Sequence, residues 1–149
     1  MIPAIRVLAF VLIGVLAGSA ARAETVAEAA QRWGLIGVWR VDCAAPPSAS
    51  NTESRYVVKD GRLVLDRDYG TNRDSNPVLL ATVKPDGALE LLVNFTAFSQ
   101  VRQFAFMKGS DGRKRAWYNR NVDTDEYTVV DGKFTENGNP TPWQIRCSQ

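Results

Sequence analysis

Five Asp-Gly or Asn-Gly pairs punctuate this chain, and they constrain its fold more than any other feature. Asp60-Gly61, Asp86-Gly87, Asp111-Gly112, Asp131-Gly132 and Asn137-Gly138 each lie between two runs rich in β-forming residues. These residue types tolerate the positive φ of tight hairpin turns, so each pair predicts an antiparallel connection. The runs between them alternate apolar and polar with period 2, giving candidate strands at 36–43, 53–59, 62–68, 78–84, 88–95, 99–108, 113–122, 126–130, 133–136 and 141–147. The expectation is an all-β, antiparallel up-and-down meander of about eight to ten strands. An open meander has two edges prone to aggregation, and closure into a small barrel removes both.

The first four of these turns fall at alternate connections and so belong to one end of the sheet. The other end receives 44–52, 69–76, 94–99 and 122–125, which are longer and carry Asn, Arg, Asp, Tyr and Phe. Tyr69, Arg73, Phe95, Phe98 and Tyr127 lie near this open end. They are candidates for a ligand mouth, because binding residues concentrate on loops; the plainer alternative is ordinary barrel core. Parity puts Trp39, Val41 and Cys43 on one face, as it does Leu63 with Leu65, Leu89 with Leu91 and Val93, and Phe104 with Phe106. Ahead of the strands, 24–33 predicts a short helix. Thr25 and Glu28 have capping-box spacing, and Val26, Ala29, Ala30 and Trp33 share one side.

Arg6, the apolar run Val7 to Ala17 and the small-x-small site Ala21-Arg22-Ala23 predict a secretory signal peptide over 1–23, leaving 24–149 as a single domain. The apolar run is too short to span a bilayer. Leu16-Ala17-Gly18-Ser19 has serine where a lipoprotein box needs cysteine, so no lipid anchor is expected. The predicted location is the periplasm or the exterior, with no stable membrane insertion after cleavage. The chain has 18 basic and 16 acidic residues, and loss of Arg6 and Arg22 leaves a mature net charge of zero. A neutral domain has no electrostatic reason to seek nucleic acid or an anionic membrane. An outer-membrane barrel is disfavoured too, because Asp66, Arg67, Glu90, Arg102 and Arg115 interrupt any apolar band.

The chain has no histidine. That removes Ser-His-Asp and Cys-His catalysis and the usual zinc sites. No Gly-rich phosphate loop or nucleophile elbow is present either. No catalytic residue, metal or cofactor is therefore assigned. Asp66, Asp68, Asp123, Asp125 and Glu126 would be the candidates for a carboxylate enzyme. Asp123-Thr124-Asp125-Glu126, beside Asn119 and Asn121, fails the EF-hand spacing and reads as a solvated turn. Arg113-Lys114-Arg115, ahead of Trp117 and Tyr118, reads as a solvated strand end rather than a nucleic-acid site. Ala45 to Asn51, with Pro46 and Pro47, is a stiff connection or a rim loop.

Two cysteines in an exported chain, Cys43 and Cys147, predict one disulfide. Trp39-Arg40-Val41-Asp42-Cys43 and Trp143-Gln144-Ile145-Arg146-Cys147 share the pattern Trp-x-aliphatic-x-Cys. Antiparallel pairing of full-length first and last strands would put the two sulfurs at opposite rims, beyond the roughly 7 Å limit between Cα atoms. Either the strand count is one off near the 126–136 hairpin, or the last strand slides past the first.

Gly37-Val38-Trp39, opening the first strand after a short helix, resembles the Gly-x-Trp signature of lipocalins and the wider calycin barrels. The resemblance implies a calycin-like barrel whose floor is closed by Trp39, with an arginine from a late strand stacked on its ring. Arg146 fits that position first and Arg120 second. A second lipocalin motif and the helix that follows the barrel in that family have no counterpart here. Small exported inhibitors of metalloproteases share the barrel and a disulfide, so the resemblance selects no single function. The leading expectation is a periplasmic binding protein holding a small apolar or amphipathic ligand. The alternative is a protein-interaction module, such as a periplasmic protease inhibitor or an envelope factor, acting through its loops. An interior void favours the first and a packed interior the second. An enzyme has the least support.

Overall fold

The computed structural model describes residues 22–149. All but Arg22 and Ala23 of the expected signal segment lie outside the described residues. The helix forms where capping chemistry predicts it. Thr25 accepts from the Glu28 amide at 3.2 Å, the Glu28 carboxylate accepts from the Thr25 amide at 2.8 Å, and α1 runs Val26–Trp33. Gly34, at φ 83°, ends it in a left-handed conformation that suits glycine. Ala29, Ala30 and Trp33 are buried, and the Trp33 indole donates to the Gly87 carbonyl at 2.8 Å. The helix is thereby pinned to a tight-turn end of the sheet.

Ten strands follow: β1 (Gly37–Arg40), β2 (Glu53–Lys59), β3 (Arg62–Asp68), β4 (Arg73–Val83), β5 (Leu89–Phe95), β6 (Gln100–Lys108), β7 (Lys114–Asn121), β8 (Tyr127–Val130), β9 (Lys133–Phe134) and β10 (Ile145–Ser148). They form one curled antiparallel sheet in the order β10-β1-β2-β3-β4-β5-β6-β7-β8-β9. The Asp-Gly pairs make the β2–β3, β4–β5, β6–β7 and β8–β9 turns. At Asp60-Gly61 both residues have positive φ, 51° and 74°, as a two-residue hairpin of the favoured twist requires.

Pro77 marks where the sheet bends. β4 pairs with β3 from Arg73 to Pro77 and with β5 from Val78 to Val83, and a bulge lies between Val78 and Leu80. Proline donates no ladder bond, so it sits where one pairing stops and the next begins. The bulge adds local twist. The far side of the sheet is tied differently. Lys114 at the start of β7 exchanges two backbone hydrogen bonds with Gln144, at 3.0 and 2.7 Å, just before β10 pairs with β1.

Three expectations need correction. The first strand does not run through 43: β1 ends at Arg40, because the Asn51 side chain takes over the backbone beyond it. Its Oδ1 accepts from the Asp42 amide at 2.9 Å and its Nδ2 donates to the Asp42 carbonyl at 2.9 Å. The chain leaves the sheet there, Val41 is exposed rather than sharing the face of Trp39, and Cys43 reaches Cys147 with 5.5 Å between Cα atoms. That early ending, rather than a miscounted or sliding strand, removes the geometric conflict. Second, Arg73 is not in a loop, because the 69–76 connection shrinks to four residues between β3 and β4. Third, the last strand starts at Ile145 rather than 141. Thr141 instead anchors the incoming segment, its hydroxyl donating to the Ala116 carbonyl at 2.6 Å.

The inner face of the sheet is a packed core. Trp33, Leu35, Trp39, Tyr56, Leu63, Leu65, Leu89, Leu91, Val93 and Phe106 fill it from the helix end upward. Among the described residues no helix is long and apolar enough to cross a membrane.

Candidate functional site at the open rim

Strand parity carries the inner face up to the rim and changes its chemistry there. Above Leu63 and Leu65 the next inward residue of β3 is Arg67. Above Val93 comes Phe95, and on β6 Arg102 and Gln100 lie above Phe106 and Phe104. With Tyr69 and Phe98 they surround a cleft of about 330 Å³. One wall is aromatic, formed by Tyr69, Phe95, Phe98 and Phe104. The other is polar, formed by Arg67, Gln100, Arg102 and Asn119. Phe98 ends a single 3-10 turn, Thr96–Phe98, and is 61% exposed.

The two arginines have different partners. Arg67 makes a two-point ion pair with Asp74, Nε donating to Oδ1 at 2.9 Å and Nη2 to Oδ2, so its charge is matched. Its guanidinium carbon lies 4.2 Å from the Phe95 ring centre and 5.2 Å from that of Tyr69, which makes it a rigid part of the wall. Arg102 meets neutral acceptors only. It donates to Asn119 Oδ1 at 2.8 Å, to Thr128 Oγ1 at 3.1 Å and to Gln100 Oε1 at 3.4 Å. Among the described residues no carboxylate lies within ion-pair distance of it. Burial lowers its pKa, since desolvation disfavours the charged form.

Below the cleft an aromatic column descends to the floor. Phe95 and Phe104 lie 5.8 Å apart and Phe104 and Phe106 6.1 Å, the latter nearly parallel. Beneath them sits Lys114, fully buried, its Nζ 4.1, 5.1 and 5.4 Å from the ring centres of Phe106, Trp39 and Tyr56. Its ammonium also donates to the Gln144 side chain. Burial without an acidic partner pulls its pKa from 10.5 down to about 7. The reading of Arg113-Lys114-Arg115 as a solvated strand end therefore fails at its middle residue. Trp39 is wholly buried, its indole donating to the Leu35 carbonyl at 2.7 Å. The Arg146 guanidinium lies 5.0 Å from its ring centre, while Arg120 binds Asp125 and Gln103 elsewhere.

The chain matches no family model, no curated protein and no solved structure. Its site must be read from its own residues.

Of the five residues expected at the mouth, Tyr69, Phe95 and Phe98 line the cleft. Arg73 does not. It points to the outer face of β2–β4, into a groove of about 720 Å³, and pairs with Asp68 at 2.7 Å. Tyr127 is also elsewhere, edge-on to Tyr118 with 5.4 Å between ring centres. The outer groove is larger than the cleft, but its charges satisfy one another: Lys59 with Asp66 at 2.7 Å, Arg55 with Glu53 at 3.1 Å. Burial raises the Asp66 pKa, but hydrogen bonds from Lys59 and Ser75 outweigh it and hold the carboxyl below its ordinary range. Asp68 is lowered as well, by the Gly70 amide first and by Arg73. Carboxylates held ionised in this way are poor general acids. Asp123, Asp125 and Glu126 stand exposed on the turn before β8. Among the described residues there is no group of metal-binding side chains.

Sequence reasoning missed Arg67, Gln100, Arg102, Phe104 and Asn119 as cleft residues, and Lys114 as core. The signal was parity: Arg67 shares a face with Leu63 and Leu65, and Arg102 with Phe104 and Phe106.

Proposed function

We propose that the protein is an exported binding protein that holds a small apolar or amphipathic molecule in this rim cleft, without turnover. The observation that carries the reading is Phe98, a large apolar side chain left mostly in water above a cleft walled by Tyr69, Phe95 and Phe104. Aromatic surface arranged around a concavity gains from a guest at roughly 25 cal/mol per Å² of apolar area covered. The guest belongs at the mouth, because the interior beneath is filled. We read the architecture as calycin-like. Support comes from Gly37-Val38-Trp39 opening β1, from Arg146 against the Trp39 ring, and from the Lys114–Gln144 hydrogen bonds near the sheet's two ends. Export is supported by the Cys43–Cys147 disulfide, which persists in oxidising compartments. The absence of histidine and the pairing of both cysteines argue against hydrolase or transferase chemistry.

Native mass spectrometry of the protein isolated from its own host tests this. A retained small-molecule mass that is lost in Phe98→Ala and Tyr69→Ala is expected. A bare protein mass, or an adduct indifferent to both changes, counts against it. The packed interior favours a second reading, a protein-interaction module acting through the rim loops. In that case a macromolecular partner appears in the same spectra in place of a small adduct.

A further inference from the structure

Resting on the binding reading above, we propose that the guest carries one oxyanionic head on an aromatic apolar body, and that Arg102 takes that head. Arg102 lines the cleft beside Phe98 and Phe104. A guanidinium has five N–H donors. Three of Arg102's are held by Asn119, Gln100 and Thr128, which leaves one N–H on each terminal nitrogen without a partner. Neutral acceptors fix the group in place without cancelling its charge, which is what a preorganised anion site needs. The neighbouring cation cannot do this, because Arg67 already holds Asp74 at two points. Glu126, the acid that acts on Arg102 through space, lies beyond ion-pair distance. One uncompensated positive charge thus faces an aromatic wall, and the matching ligand bears one negative charge. A multiply charged phosphate would need a second cation that this cleft does not offer.

Two dyes that differ by one group provide the test. Anilinonaphthalene sulfonate and its uncharged parent, N-phenylnaphthylamine, share an aromatic apolar body and differ in the sulfonate. Both are titrated by fluorescence into the purified, disulfide-bonded protein. Arg102→Gln is expected to weaken the sulfonate roughly tenfold to a hundredfold, the loss of a charge-assisted hydrogen bond, and to leave the neutral dye within about twofold. Phe98→Ala should weaken both dyes. If Arg102→Gln changes the two dyes equally, or neither, the anion proposal fails while the cleft reading stands. If neither dye binds wild type, or Phe98→Ala changes neither, the cleft reading itself fails. Wild type alone gives an independent arm should Arg102→Gln not fold. Raising salt from about 0.05 M to about 0.5 M should weaken the sulfonate severalfold and spare the neutral dye, since only a charge contact is screened. Equal salt response of the two dyes overturns the proposal.

Discussion

Lys114 is the residue whose environment differs most from what its type suggests. Fully buried against Phe106, Trp39 and Tyr56, it draws on ring faces and Gln144 in place of a carboxylate. Its folded pKa, about 7, lies below the 10.5 of the unfolded chain. The sign follows from proton counting. Between those values the unfolded chain binds the proton and the folded one does not, so Lys114 makes stability rise with pH across that window and contributes no slope below it. The slope is at most 1.36 kcal/mol per pH unit, or roughly 3 kcal/mol between about pH 7 and about pH 9.5. Measurements that end at about pH 9.5 stay below the ordinary tyrosine pKa of about 10, and burial pushes Tyr56 higher still. Lys108, whose pKa is lowered by burial and by Arg146, contributes in the same direction. Lys114→Met should therefore fold, gain stability near neutral pH and lose most of the slope. Urea melts at the two pH values decide it; equal slopes in wild type and variant would place the ammonium in water.

At the scale of elements, the design is a set of local stops. The capping box starts α1, Gly34 ends it, Pro77 divides β4 between two partners, and Asn51 ends β1 at Arg40. The last of these has a consequence for the whole chain, because it frees Cys43 to bond Cys147 across a separation of 104 residues. Closing so long a loop restricts the unfolded chain, worth about 4 to 5 kcal/mol in the chain-entropy account, with measured values often lower. Replacing both cysteines by serine should lower the unfolding free energy by that order while the strand signature in circular dichroism survives at low temperature. An unfolding free energy within about 1 kcal/mol of wild type would show that the sheet holds itself without the bond.

At the scale of the molecule, one end is closed by α1 and tight turns and the other carries the cleft. The Cys43–Cys147 bond persists in oxidising compartments outside the cytosol. The mature protein is therefore expected to begin at Glu24 and to appear in the periplasmic or culture fraction. Intact-mass measurement checks this, and an uncleaved, membrane-bound chain would refute it. Much of the architecture was legible because its causes are local. Asp-Gly turns, period-2 runs and the Thr25–Glu28 box act within a few residues, and the helix and the tight turns stand where they predict, whereas β1, β4 and β10 start or stop elsewhere. The cleft was legible only in part. Tyr69, Phe95 and Phe98 stand near turns that the sequence marks, but whether a charged side chain faces water or core depends on which strands lie across from it. The helix, the Asp-Gly turns and the pairing of the two cysteines follow from local chemistry and residue type. Only the assembled sheet settled that Asn51 would stop β1, that Arg73 would face outward, that Lys114 would be buried, and that Arg102, which parity places with Phe104 and Phe106, would be held by Thr128. For Arg102 and Lys114 the physical reason is that their partners — Thr128 for Arg102, Gln144 and Trp39 for Lys114 — are distant in the chain and meet them only when the sheet curls.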